Sequence, residues 1–182
     1  MFERFAAAAR AAVVDAHERA RTDHAPELTE DHLLAALLQG PRSAQLLPAV
    51  HLDADDAGQI LAEVATARRR GGLSTADAEA LAGLGIDLDE VLSAVERRLG
   101  AGALAPSATP RRRRLRASRG FQQVLGTSVR RARALGDREL RAEHLLLAFT
   151  GRRDPIAEAL AGRGVTAATL LEALERRRRG AA

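Results

Sequence analysis

The residues of this chain with the most chemical potential are two acid–histidine pairs. Asp31-His32 lies in the run Glu30-Asp31-His32-Leu33-Leu34, and Glu143-His144 lies in Ala142-Glu143-His144-Leu145-Leu146. A carboxylate at the start of a helix can accept two hydrogen bonds from a guanidinium. The histidines also have a structural reading, in which a partly buried ring bonds neighbouring backbone and sets how the helix begins. His17, His24 and His51 are scattered and suggest no metal site.

Much catalytic chemistry is excluded by composition. All 28 basic residues are Arg and there is no Lys, so a Schiff base and a phosphate-cradling Gly-x-x-x-x-Gly-Lys-Ser/Thr loop are both impossible. There is no Cys, which removes thiolate zinc sites, disulfides and a Cys nucleophile. Neither Gly-x-Ser-x-Gly nor His-Glu-x-x-His occurs, and no Ser, His and Asp are spaced as a triad. The expectation is a chain that is not an enzyme and needs no cofactor or metal. No apolar run approaches the roughly 20 residues of a membrane span. The opening Met1-Phe2-Glu3-Arg4-Phe5 lacks the charged lead and apolar stretch of a signal peptide, so the expected location is the cytoplasm.

The elements that must position the acid–His pairs read as helices throughout. Ala and Leu dominate, aromatics are limited to four Phe, and no alternating stretch supports a strand. Phe2, Phe5, Ala9, Ala12, Val13 and Ala16 recur at helical spacing, predicting a helix over 2–22. Thr29 caps a second over 30–39, which Gly40-Pro41 stops; Ser43 opens a short third ending near Ala49; Asp53 caps a fourth ending in Arg68-Arg69-Arg70. The same order returns as 118–135, 141–150, 154–162 and 166–178, with Ser118, Asp154 and Thr166 as caps. Phe2 and Phe5 read either as exposed anchors for a partner or as core packed against the second repeat, and Phe121 and Phe149 are expected in the core.

An internal repeat underlies this. Glu30 to Leu37 aligns with Ala142 to Phe149, Glu27-Leu28 with Glu139-Leu140, and, after a one-residue slip, Leu52, Ile60 and Leu61 with Val165, Ala173 and Leu174. The chain therefore divides into repeat 1 (1–70), a connecting region (71–117) and repeat 2 (118–179). The connecting region holds one helix from Ser74-Thr75-Ala76-Asp77 to about Leu81 and another from Asp87 to about Leu99. After them Gly100 to Arg116, with Pro106, Pro110 and Arg111–Arg114, reads as an exposed linker. Charge is uneven: residues 1–104 hold 10 Arg against 17 acids, a charge of −7, and residues 105–182 hold 18 Arg against 7 acids, a charge of +11. The runs Arg111–Arg114 and Arg176–Arg179 could neutralise nucleic-acid phosphates, although no aromatics are interleaved for base stacking. Their plainer reading is solvated charge in a linker and at a frayed C-terminus.

A Met-Phe-x-Arg-Phe start, an amphipathic helix, an acidic-His-Leu-Leu motif after a short break, and a second copy of the whole resemble the Clp N-terminal (Clp R) double-repeat domain of the ClpC and ClpA type. The resemblance covers 1–70 and 115–178, and the long middle segment is similar to freestanding actinobacterial homologues without an ATPase motor. It implies an all-α fold of two pseudo-symmetric four-helix repeats with extra helices between them. It also implies a domain that captures protein clients or adaptors, as an adaptor or a decoy for a ClpC-type unfoldase. Some relatives bind phosphorylated arginine through the motif acid, which here is Asp31 or Glu143, with a helix N-terminus facing the phosphate. The candidate peptide-binding residues are Phe2, Arg4, Asp31, His32, Ser118, Glu143 and His144. The chain departs from the family pattern in having Thr29-Glu30 and Arg141-Ala142 where Gly-Thr is expected, and Ser118-Arg119-Gly120 in place of Thr-Pro-Arg. Nucleic acid is the alternative partner.

Overall fold

The computed structural model of the chain describes residues 5–73, 75–99 and 115–180. Phe2, Arg4 and the Arg-rich stretch 100–114 lie outside them.

The described chain is almost wholly helical: α1 (Ala7–Thr22), α2 (Glu30–Gln39), α3 (Ser43–Leu46), a 3-10 turn (Pro48–Val50), α4 (Ala54–Arg69), α5 (Thr75–Gly83), α6 (Leu88–Leu99), α7 (Arg119–Ala134), α8 (Ala142–Thr150), α9 (Pro155–Gly162) and α10 (Ala167–Arg179). The predicted caps explain several of these starts. Asp53, Ser118, Asp154 and Thr166 each accept a hydrogen bond from the backbone N–H three residues on. The third helix is shorter than expected because Pro48 has no N–H to continue the ladder, and the chain passes into the 3-10 turn.

α2 and α8 form the centre. Leu33, Leu34, Leu145 and Leu146, which correspond in the repeat, are completely buried, each contributing about 1.5–3 kcal/mol of transfer free energy. α8 is buried along its length from Ala142 to Phe149, the polar Glu143 and His144 included. α1 covers α2 with Ala9, Ala12, Ala16 and Ala20, whose small side chains let the two backbones approach closely, and α7 covers α8 with the larger Phe121 and Val124 beside Ser128 and Ala132. Phe5, Phe121 and Phe149 are core residues, and one hydrophobic cluster includes residues from both halves. α5 and α6 pack on each other and are tied to α4 by Arg70, whose guanidinium makes bonds of 2.8 and 3.1 Å to Asp89.

The expectation of no strand needs correction. Glu27–Leu28 (β1) pairs in parallel with Arg116–Ala117 (β2), and Phe5 bridges Leu140. The two pairings are copies: the Ala6 N–H donates to the Leu140 carbonyl at 2.9 Å, and the Ser118 N–H donates to the Leu28 carbonyl at 2.8 Å. Each half thus hands the segment before its long first helix to the loop before the other half's motif helix. Two-residue strands carry no periodic pattern, so only the meeting of the halves reveals them. β2 also begins inside the stretch read as linker, and Leu115 and Ala117 pack against the core.

Candidate functional site

The crossed pairing places each motif helix against the first turn of a long helix from the opposite half. In the first half, Thr29 is extended and Glu30, Asp31 and His32 form the first turn of α2. Both the backbone N–H and the hydroxyl of Thr29 lie within hydrogen-bonding distance of His32 Nδ1, at 3.1 and 2.6 Å. Nδ1 is therefore an acceptor and the ring fixes the helix start, as its structural reading expected.

Asp31 is half-buried and already partnered. Arg68, from the last turn of α4, forks onto it with Nε 2.9 Å from Oδ2 and Nη2 2.8 Å from Oδ1. This hydrogen bond, helped by the Asp31 and Glu30 charges, outweighs burial and raises the Arg68 pKa above its ordinary value. Glu30 points the other way, into the start of α7. Its Oε2 accepts from the Ser118 hydroxyl at 3.2 Å, and its Oε1 accepts from Arg152 Nη2 at 3.2 Å. Arg152 also pairs with Asp154. Ser118, Asp31 and His32 are therefore brought to one place, with Glu30, Arg68 and Arg152 added.

The second half repeats the plan with other residues. His144 Nδ1 accepts from the Arg141 N–H at 3.0 Å, and Nε2–H donates to Asp137 Oδ2 at 2.9 Å. Burial lowers the His144 pKa, despite the neighbouring carboxylates. Burial pushes the Asp137 carboxyl up, but the Arg178 bond and charge, together with His144, hold it below the ordinary value. Glu143 is completely buried; Arg177 Nη1 lies 2.7 Å from its Oε1, yet neither carboxylate oxygen receives a bond of hydrogen-bonding geometry. The proximity is thus an ion pair rather than an aligned hydrogen bond. Glu143 and His144 are interior groups here, while Asp31 and His32 retain some exposure.

The arginines were the residues that sequence reasoning missed. Arg176 donates to the Ala49 carbonyl at 3.0 Å, Arg177 covers Glu143, and Arg178 donates to the Leu135 carbonyl and to Asp137. Three members of a run read as solvated charge are therefore intramolecular anchors, which also leaves less of that run for nucleic-acid phosphates. The runs closing α4 and α10 were a signal, because each ends the last helix of its repeat. Among the described residues, no group of three or more His, Asp or Glu could hold a metal ion, and no helix is long and apolar enough to cross a membrane.

Two helical units that exchange their leading segments, each presenting an acid–His motif, define a duplicated all-α domain. The Clp repeat (R) N-terminal domain family matches residues 70–163, and the chain belongs to that family. Among solved structures it is similar to the Hsp104 N-terminal domain from Candida albicans (TM-score 0.59, 19% identity, covering 96% of this chain and 92% of that one). It is also similar to the N-terminal domain of the caseinolytic protease-associated chaperone ClpD from Arabidopsis thaliana (TM-score 0.51, 17% identity, covering 98% and 97%). A third similar structure comes from a study of a malarial protein secretion system (TM-score 0.61, 13% identity, covering 96% and 94%). At these identities the likeness is one of fold.

Proposed function

We infer that the chain is a non-catalytic recognition domain, which binds protein or peptide segments in the cytoplasm for a Clp-type unfoldase system. It acts as an adaptor, or as a decoy competing for the unfoldase's substrates, adaptors or ligands. The observation that carries this reading is the crossed placement of the two motifs: α2 starts against Ser118 and α7, and α8 starts downstream of Leu140, which holds Ala6 at the start of α1. Each place combines a carboxylate suited to a guanidinium with a helix N-terminus suited to an anion. The ligand class that joins those two groups is a phosphorylated arginine side chain on a client protein. The surrounding groups favour binding over catalysis: His144 is completely buried with both ring nitrogens engaged, so it is not free to act as an acid or base on a substrate.

The test is a degradation assay with a purified Clp-type unfoldase, its peptidase and a labelled client. Added in excess, the chain should change the rate of client loss: a rise marks an adaptor and a fall marks a decoy. An unchanged rate across a range of clients and concentrations would refute both roles.

A further inference from the structure

The two motif sites differ in one respect that their shared plan does not require. In the first, the space between Asp31 and the N-terminus of α7 is filled from within. The Arg68 guanidinium takes both oxygens of Asp31, and the Glu30 carboxylate lies on the first turn of α7, where Ser118 donates to it. Arg68 and Glu30 also face each other at 3.6 Å. Together they make a guanidinium next to an anion, with the guanidinium on the motif acid and the anion at the helix start.

The seat for Glu30 is built into the backbone. A Cβ at Gly120, in the first turn of α7, would lie 2.1 Å from Glu30 Oε2, so any larger residue there would make this carboxylate move from its present seat. In the second half the corresponding residues are Ala142 in place of Glu30 and Ala8 in place of Gly120. There the motif helix brings no carboxylate to the start of α1. The cover differs too: Arg68 grips Asp31 through two aligned bonds, whereas Arg177 touches Glu143 through one ion pair of poor hydrogen-bond geometry, in the last turn of α10.

We propose that Glu30 and Arg68 form an internal pseudo-ligand that closes the first site, so that the chain takes up an arginine-linked anion at one site, the Glu143 site. This rests on the recognition function proposed above and adds the regulation of its two sites. An external ligand at Asp31 must displace two charge-assisted hydrogen bonds from Arg68 and evict a carboxylate held by Ser118 and Arg152. At Glu143 it must first uncover a completely buried carboxylate by lifting Arg177 away, but it has one ion pair to displace and no anion to evict.

The experiment is calorimetric titration of free phosphoarginine into the full chain, with circular dichroism confirming that each variant is folded. The native chain should bind one equivalent, unchanged in Asp31→Asn and lost in Glu143→Gln. Glu30→Ala/Arg68→Ala, which gives the first half the alanine of the second, should bind two, and adding Asp31→Asn should remove the new one. With Glu143→Gln in the background, opening the first site should strengthen binding at least about tenfold. Two equivalents in the native chain, or loss of its binding in Asp31→Asn, would overturn the closed site and leave the recognition function standing. So would a folded double variant that gains nothing while the native chain binds one equivalent. No binding by any form would overturn both this inference and the phosphoarginine reading.

Discussion

Arg177 touches a carboxylate that has nowhere else to place its charge. Glu143 is completely buried, neither oxygen is hydrogen-bonded, and the guanidinium 2.7 Å away is its cationic neighbour. Removing one partner of a fully buried pair costs about 3–5 kcal/mol because the other charge is left uncompensated. Arg177 is 39% exposed, so water screens the pair and can enter where the side chain was. The cost of Arg177→Ala should therefore be lower, about 1–2 kcal/mol. Glu143→Gln removes the charge while keeping the shape and should be close to neutral. Added to Arg177→Ala, it should restore most of the lost stability, because an amide does not need the cation. Urea unfolding followed by circular dichroism would measure all four corners of this cycle. In a chain of this size the single loss corresponds to a fall in melting temperature of about 2–8 °C. Arg177→Ala with native stability, or a double variant no more stable than Arg177→Ala, would refute the claim that this pair holds the second motif.

Three further outcomes follow from the same structure. Because burial lowers the folded His144 pKa below its ordinary 6.5, the unfolded chain binds that proton more readily, and stability should fall as pH drops below about 6.5. A folded His144→Gln variant should lack that part of the slope in urea titrations at stepped pH; the stabilisation from Asp137, whose pKa is depressed, should persist until lower pH. His24 ends α1 with φ of 51°, at the place where the second half has Gly136 with φ of 74°. His24→Gly should therefore stabilise the chain by about 0.5–1 kcal/mol in thermal unfolding, by relieving left-handed strain. Phe149→Ala empties the completely buried end of α8 and should cost about 3–5 kcal/mol, read as a lower urea midpoint.

Helices and their caps were legible in the sequence because each is set locally. Leu33, Leu34, Leu37 and Leu38 mark a face by spacing alone, and Asp53, Ser118, Asp154 and Thr166 need only the N–H groups of their own first turns. The acid–His motifs were visible for the same reason, since each His bonds the backbone three residues before it. What joins the halves was not legible. The pairing of Leu28 with Ala117 and of Phe5 with Leu140 spans the chain and occupies one or two residues on each side. The covers of the motif acids were hidden too. Arg68 and Arg177 sit in Arg-rich helix ends where any member could have reached inward, and helix phase and side-chain length choose between them. Glu30 looked like an ordinary first-turn acid, and only the meeting of α2 with α7 shows its carboxylate lying where a Cβ on Gly120 would be.

The proposed function makes this chain a receptor for arginine-linked anions on other proteins. Its most direct measurement is an equilibrium titration of an arginine-phosphorylated model protein, and of the same protein after dephosphorylation, against the native chain and Asp31→Asn/Glu143→Gln. Saturable binding of the phosphorylated form alone, abolished in the double variant, is the predicted result. Equal binding of both forms, or undiminished binding by a folded double variant, would contradict it.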